Sequence, residues 1–372
     1  MKRRRKPLLD RRWPDLIREA DSFATLAASL SDLLVEDGEV IHIAVLGSAV
    51  SVAAALADRG KSGLGQISQR GGLSAFTYTR TVGKKRKRRY KGDFAVCRWE
   101  DSSAYVIVCC GTPTFIRNAL EPLITSLYPQ VVVPFLSQDE LHSVVRAVQR
   151  RAQPDALRIH EYSAKRRITS ARRRFESVRD WTDVEPDAAF REAKERNVWF
   201  SSVRFQLLRR PGEEPSRWSG SRYRLSKYGA VSCDSGFELV IASVLPMLTA
   251  ITSERVRFFS NRERSSQSTD GLHPLEIRYD KPLLTSSPDL KRLLDVLRRF
   301  PHGTCTVLHA NPYLHVTLVD DIDLSAADVW VLSERGILLV PQLRASYGAL
   351  KRLVNHIFEN FGEGQIGEAK TH

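Results

Sequence analysis

The clearest hydrophobic pattern lies in residues 274–362. Leu290, Leu293, Leu294, Leu297 and Phe300 recur every three or four positions, the period of one helical face. Ser287 as N-cap, Pro288 behind it and Asp289 in the first turn give that helix a start, and Pro301 ends it. Leu314, Val316 and Leu318 then alternate with His315 and Thr317, the period of a strand with one buried face. Strands are also predicted at 275–279, 304–309, 329–333 and 337–340. Leu350, Leu353, Val354, Ile357, Phe358 and Phe361 form a last helical stripe closed by Gly362.

Earlier residues read as looser versions of this order. Phe23, Leu26, Ala27, Leu30 and Leu33 predict a helix over 22–34, followed by a strand at 39–46 and a helix at 50–59. The glycine-rich stretch 60–72 reads as a loop, and 75–82 as a strand. Strands at 94–100 and 104–110 form a hairpin. A helix runs from Pro113 to Tyr128, then a strand at 131–136 and a helix at 139–149. Further on come a strand at 157–162, a helix at 186–197, a strand at 200–208 and a hairpin over 222–233. An apolar helix at 237–250 and a short strand at 256–259 follow. The Ser-rich, charged stretch 261–271 reads as a linker.

Short pieces recur in the same order. Leu157, Ile159 and Tyr162 match Leu275, Ile277 and Tyr279; the hairpin at 224–229 matches that at 331–336. The residues at 132–137 resemble those at 256–260, each after an apolar helix with an internal proline, Pro122 or Pro246. The fold class expected is α+β. It is built from repeated strand–helix–(three to four strands)–helix units, with largely antiparallel or mixed curved sheets and helices on one face. The expected division is an N-terminal α/β domain at 1–152 with a basic arm (residues 1–12) and a basic loop, a middle α+β unit at 153–268, and a C-terminal α+β unit at 269–372. The last two are alternatively one domain.

Charge changes this picture. The chain of 372 residues carries a net charge of +14, a surplus that favours polyanionic partners. It is unevenly placed: residues 1–100 hold 20 Lys/Arg against 11 Asp/Glu, and residues 301–372 hold 5 against 8. The strongest run is Lys84, Lys85, Arg86, Lys87, Arg88, Arg89 and Lys91, broken only by Tyr90. Such charges repel one another, and a phosphate backbone relieves the repulsion while releasing counterions. The plainer reading is a solubilising loop. Lys165, Arg166, Arg167, Arg172, Arg173 and Arg174 form a second cluster, with Arg172 near Phe175 and Glu176 if 171–178 is helical. Arg217 and Trp218, then Arg222 and Tyr223, interleave cations with rings that could stack on unpaired bases. The plainer reading here is a hairpin with Tyr223 on its packed face.

Other chemistry is poorly supported. Gly47, Ala49 and Val52 stand where a dinucleotide-binding turn needs three glycines, and Gly60-Lys61-Ser62 ends a helix instead of starting one. His309, His315, Asp320, Asp321 and Asp323 cluster in sequence but lack a metal-site spacing. No nucleophile–histidine motif is present. The five cysteines, Cys97, Cys109, Cys110, Cys233 and Cys305, read as small buried hydrophobes in a reducing compartment. No apolar run reads as a signal or a membrane span, so the expected location is cytoplasmic, or nuclear in a eukaryote. The expected function is binding of DNA or RNA, mainly through phosphates, with no catalysis, cofactor or metal. Two alternatives stand beside it. One is an interaction subunit whose acidic C-terminal unit docks a protein partner; the other is a nucleotide- or nucleic-acid-processing enzyme without a recognisable motif.

Overall fold

The computed structural model describes residues 8–31, 40–58, 63–83, 87–153, 155–167, 175–196, 198–260, 262, 273–310 and 313–369. The chain divides into two compact units, 1–255 and 256–372. Both are α+β with antiparallel strand pairing throughout the described residues.

Unit 1 opens with helices α1 (Leu8–Glu19) and α2 (Phe23–Ser31), strand β1 (Ile41–Ser48) and helix α3 (Val52–Asp58). Strands β2 (Leu64–Arg70), β3 (Leu73–Val82), β4 (Arg88–Arg98) and β5 (Ala104–Cys109) follow. A helix comes next in three pieces: α4 (Pro113–Phe115), a π-helical turn (Ile116–Leu120) and α5 (Glu121–Thr125). Then come β6 (Val131–Val132), α6 (Gln138–Arg151), β7 (Ala156–Arg167), β8 (Phe175–Val184), α7 (Pro186–Glu195), β9 (Val198–Leu208), β10 (Arg222–Ser226) and β11 (Ala230–Cys233). The apolar helix is again composite, with α8 (Phe237–Leu239), a π turn (Val240–Val244) and α9 (Leu245–Phe259). Each π turn ends two residues before a proline, Pro122 or Pro246. Proline removes an i→i−4 hydrogen bond and crowds the preceding turn, so widening that turn is one way to keep the helix continuous.

One sheet runs through the unit in the order β2-β3-β4-β5-β1-β11-β10-β9-β7-β8, with β6 beside β1. Residues either side of position 152 therefore share a sheet through the β1–β11 pair, with His42 opposite Ser232. Helices cover both faces of its first half, where one covered face was expected. Ile43, Val45, Val106 and Val108 pack with α1, α2, α6 and the apolar helix. Leu46, Phe94 and Ile107 pack with α3 and the helix after β5. Fully buried strands such as β5 need two covering layers, and their near-continuous apolar runs record it. Helix α6 starts at a capping box between Ser137 and Glu140. Arg255 then clamps it by donating to both Glu140 carboxylate oxygens at 2.6 and 2.7 Å.

Several elements differ from expectation. Residues 64–70 form β2 despite Gly65, because an edge strand needs only one partner ladder, here with β3. Residues 256–259 lie in α9, so the likeness of 256–260 to 132–137 does not extend to a strand. Residues 175–178 are in β8 and pair with β7, so the helix considered there is absent. The helix 237–259 is long and apolar enough to cross a membrane by length and composition. Yet Phe237, Leu239, Val240, Val244, Leu245 and Leu248 are core residues of unit 1, which accounts for its apolar character without a bilayer.

Unit 2 contains β12 (Leu275–Arg278), α10 (Ser287–Leu297), β13 (Gly303–His309), β14 (Leu314–Asp320), β15 (Ala326–Ser333), β16 (Gly336–Pro341), α11 (Tyr347–Asn360) and β17 (Gln365–Glu368). The N-cap of α10 is Ser286, one residue earlier than predicted. Its sheet order is β13-β14-β15-β16-β12-β17. Leu314, Val316 and Leu318 are buried while His315 and Thr317 are half-buried on the other face, as the alternation predicts.

Candidate functional site: an uncovered cationic sheet face and its cleft

Among the described residues, the helices and apolar side chains that cover the face of the unit 1 sheet holding Phe94 and Ile107 reach only as far as β1. None of the buried cluster on that side comes from β7, β9, β10 or β11. The reason is written in the alternation of those strands. Tyr223 and Leu225 on β10, and Val203, Phe205 and Leu207 on β9, all point to the other core. Their neighbours Arg222, Arg224 and Arg204 point away from it and are exposed.

The register joins these side chains into a row. Glu161 on β7 stands opposite Arg204, Arg204 opposite Arg224, Arg224 opposite Ser232, Ser232 opposite His42, and His42 opposite Cys109. Arg204 donates to the buried carboxylate of Glu161 at 2.7 Å. Arg224 donates to Ser202 Oγ at 3.4 Å. Gln206 and Arg158 stand beside Arg222 in the next row.

Where the row reaches β11 and β1, the face meets the helix after β5 and a cleft of ≈ 420 Å³ opens. His42, Cys109, Arg224 and Ser232 line its floor, Ile116, Arg117 and Leu120 its helical wall, and Tyr228 one end. The π turn sets that wall, since it carries Ile116, Arg117 and Leu120 together. The helix approaches the sheet closely at Gly92, where a Cβ would lie 2.6 Å from the Phe115 ring. A larger residue at 92 would therefore push the helix off the sheet.

The electrostatics of the floor are set by burial and by Arg224. His42 is pushed down from 6.5 to about 4, first by desolvation and then by the nearby Arg224 guanidinium. Its imidazole is neutral at pH 7, and its buried Nε2 has no hydrogen-bond partner among the described residues. An unmet buried group of this kind costs about 1–3 kcal/mol. Burial pushes the Cys97 thiol up to about 12 and the Cys233 thiol up as well, so neither is a nucleophile at neutral pH.

The residues singled out from the sequence do not gather in one place. Lys84, Lys85, Arg86, Arg172, Arg173 and Arg174 lie outside the described residues. Lys87, Arg88, Arg89 and Lys91 are exposed on the β3–β4 hairpin, mostly within β4 instead of a loop. Lys165 is half-buried on β7, where Arg166 and Arg167 continue the strand toward β8. The register sends these two hairpins off opposite ends of the sheet: Arg88 extends toward the end bearing Arg158 and Arg222, Lys165 toward the other. In the sheet order β4 is also four strands from β10, roughly 19 Å at the usual spacing.

Tyr223 is buried, stacks on Phe205 with centroids 5.3 Å apart and donates to Gly236 O at 3.3 Å, so it is not a base platform. Trp218 donates to Glu238 at 3.1 Å beneath Arg217. Arg222 pairs with Asp234 at 2.5 Å. In unit 2, Asp320 pairs with Arg352 at 2.7 Å, and His315 stacks on Trp330 at 3.6 Å. Among the described residues no group of three or more His, Cys, Asp or Glu could hold a metal ion.

The sequence reading passed over Arg204, Arg117, His42 and Ser232. Only one signal pointed to Arg204, His42 and Ser232, the polar side of strands whose other side is apolar, while Arg117 sits on the π turn. No protein-family model matches this chain, and no curated protein matches it. One similar solved structure is the di-domain ARO/CYC StfQ from the steffimycin biosynthetic pathway. It is 8% identical, covers 58% of this chain and 98% of its own, and has a TM-score of 0.15, too weak a likeness to carry any argument.

Proposed function

We propose that unit 1 binds single-stranded nucleic acid along the uncovered face, with phosphates held by Arg204, Arg224 and Arg222. The observation that carries this reading is the cross-strand pair Arg204–Arg224. Cations gathered on one face raise the positive potential there, and a phosphate backbone laid along them releases counterions. The exposed Arg88, Arg89 and Lys91 extend the positive field beyond the face and attract the strand from a distance. Phosphate contacts of this kind give affinity with little sequence preference.

The test is binding of labelled mixed-sequence single-stranded DNA and RNA to the full chain across salt. Affinity should fall by about tenfold or more between about 50 and 200 mM salt, and Arg224→Gln should flatten the slope by about one phosphate. Affinity that does not change with salt would refute the proposal.

A further inference from the structure

We infer that the cleft at the end of the cationic row takes one unpaired nucleobase from the strand whose phosphates lie on the face, a reading that rests on the nucleic-acid proposal. Arg224 belongs to both surfaces: it stands in the row opposite Arg204 and it lines the cleft. A phosphate held there has its own nucleoside within reach of the opening. The walls suit a flat, mostly apolar ring with polar edges. Ala44 and Ile107 on the sheet face Ile116 and Leu120 on the helix, while His42 and Ser232 offer polar groups on the floor. His42 is neutral, so its imidazole adds no charge to the floor.

Other occupants leave part of the site unused. A free phosphate would meet Arg224 but leave the apolar walls wet. A purely aliphatic ligand would lay apolar surface against the Arg224 guanidinium and the Ser232 hydroxyl. The space of ≈ 420 Å³ admits a nucleoside, and a base held in a duplex stack could not enter it.

The full chain is titrated with an oligothymidylate and with an abasic strand of the same length. The strands are compared on the native chain, on Ala44→Phe, which fills the cleft from the sheet, and on Ile116→Trp, which fills it from the helix. The native chain should prefer the base-bearing strand by about tenfold. Either folded variant should bring the two strands to equal affinity and leave abasic binding unchanged. Equal binding of both strands by the native chain would overturn the cleft assignment and leave the phosphate reading standing. A preference that survives both filled variants would place the bases elsewhere and also overturn it. If neither strand binds, the nucleic-acid proposal falls and the cleft assignment falls with it.

Discussion

Arg204 and Arg224 face each other across the β9–β10 ladder, yet their surroundings differ. Arg204 answers a buried carboxylate, Glu161, while Arg224 reaches a serine hydroxyl and raises the potential around His42. Arg204→Gln removes a charge-assisted bond from a buried acid and is expected to cost about 1–2 kcal/mol of stability, allowing for the half-exposed guanidinium. Arg224→Gln should raise the His42 pKa above about 4, because the charge opposing protonation is gone while burial remains. Hydrogen exchange of the β9 and β10 amides reads the first effect, and imidazole NMR titration reads the second. A His42 pKa unmoved by Arg224→Gln would show that burial alone holds it down.

The neutral His42 also makes unit 1 sensitive to acid. Its pKa is lower folded than unfolded, so below pH 6.5 the unfolded chain takes up a proton that the native state refuses. The contribution is fully present above pH 6.5. It is lost progressively as pH falls, and the loss levels off below about pH 4, where the native imidazole also protonates. A shift of this size corresponds to about 3 kcal/mol across the window. His42→Phe should abolish that part of the pH dependence and cost little at pH 7, since it also removes the unpartnered Nε2. Exchange protection of the β1 and β5 amides at pH 4.5 and pH 7 measures it. A variant that loses as much protection on acidification as the native chain would assign the effect to another group.

The parts of this fold that the sequence disclosed are those in which one segment's own pattern decides. Leu290–Leu297 carries its face, its proline start and its stop within a dozen residues, and α10 lies there within one residue of its expected N-cap. Strand β14 is equally plain, because Leu314, Val316 and Leu318 all bury. What stayed hidden depends on partners far along the chain. β17 is a short polar strand that exists because β12 offers an edge to Ile366. The cationic row needs four registers linking His42 to Glu161, and no local window holds Glu161, Arg204 and His42 together. Charge density misled for the same reason. Runs such as 84–91 are conspicuous in sequence, while a face assembled from every second residue of four strands is not.

Unit 2 supplies a case where clustered acids serve the fold. Asp323 is buried and accepts from the Ser325 N–H at 3.0 Å and from the Ser346 hydroxyl, while Ser346 Oγ accepts from the Ala349 N–H at 3.1 Å to cap α11. The acid thus orients the cap, and the cap satisfies one of the open donors of the helix. Ser346→Ala should cost about 1 kcal/mol and Asp323→Ala about 2 kcal/mol, the larger because two donors are left unmet. Since the carboxylate touches the hydroxyl, the double variant should cost less than the two single changes together, by about 0.5 kcal/mol or more. Hydrogen exchange at the Ala349 and Leu350 amides in the full chain reports each cost where it arises. Strictly additive losses would mean that Asp323 supports the turn at Ser325 alone and leaves the start of α11 to Ser346.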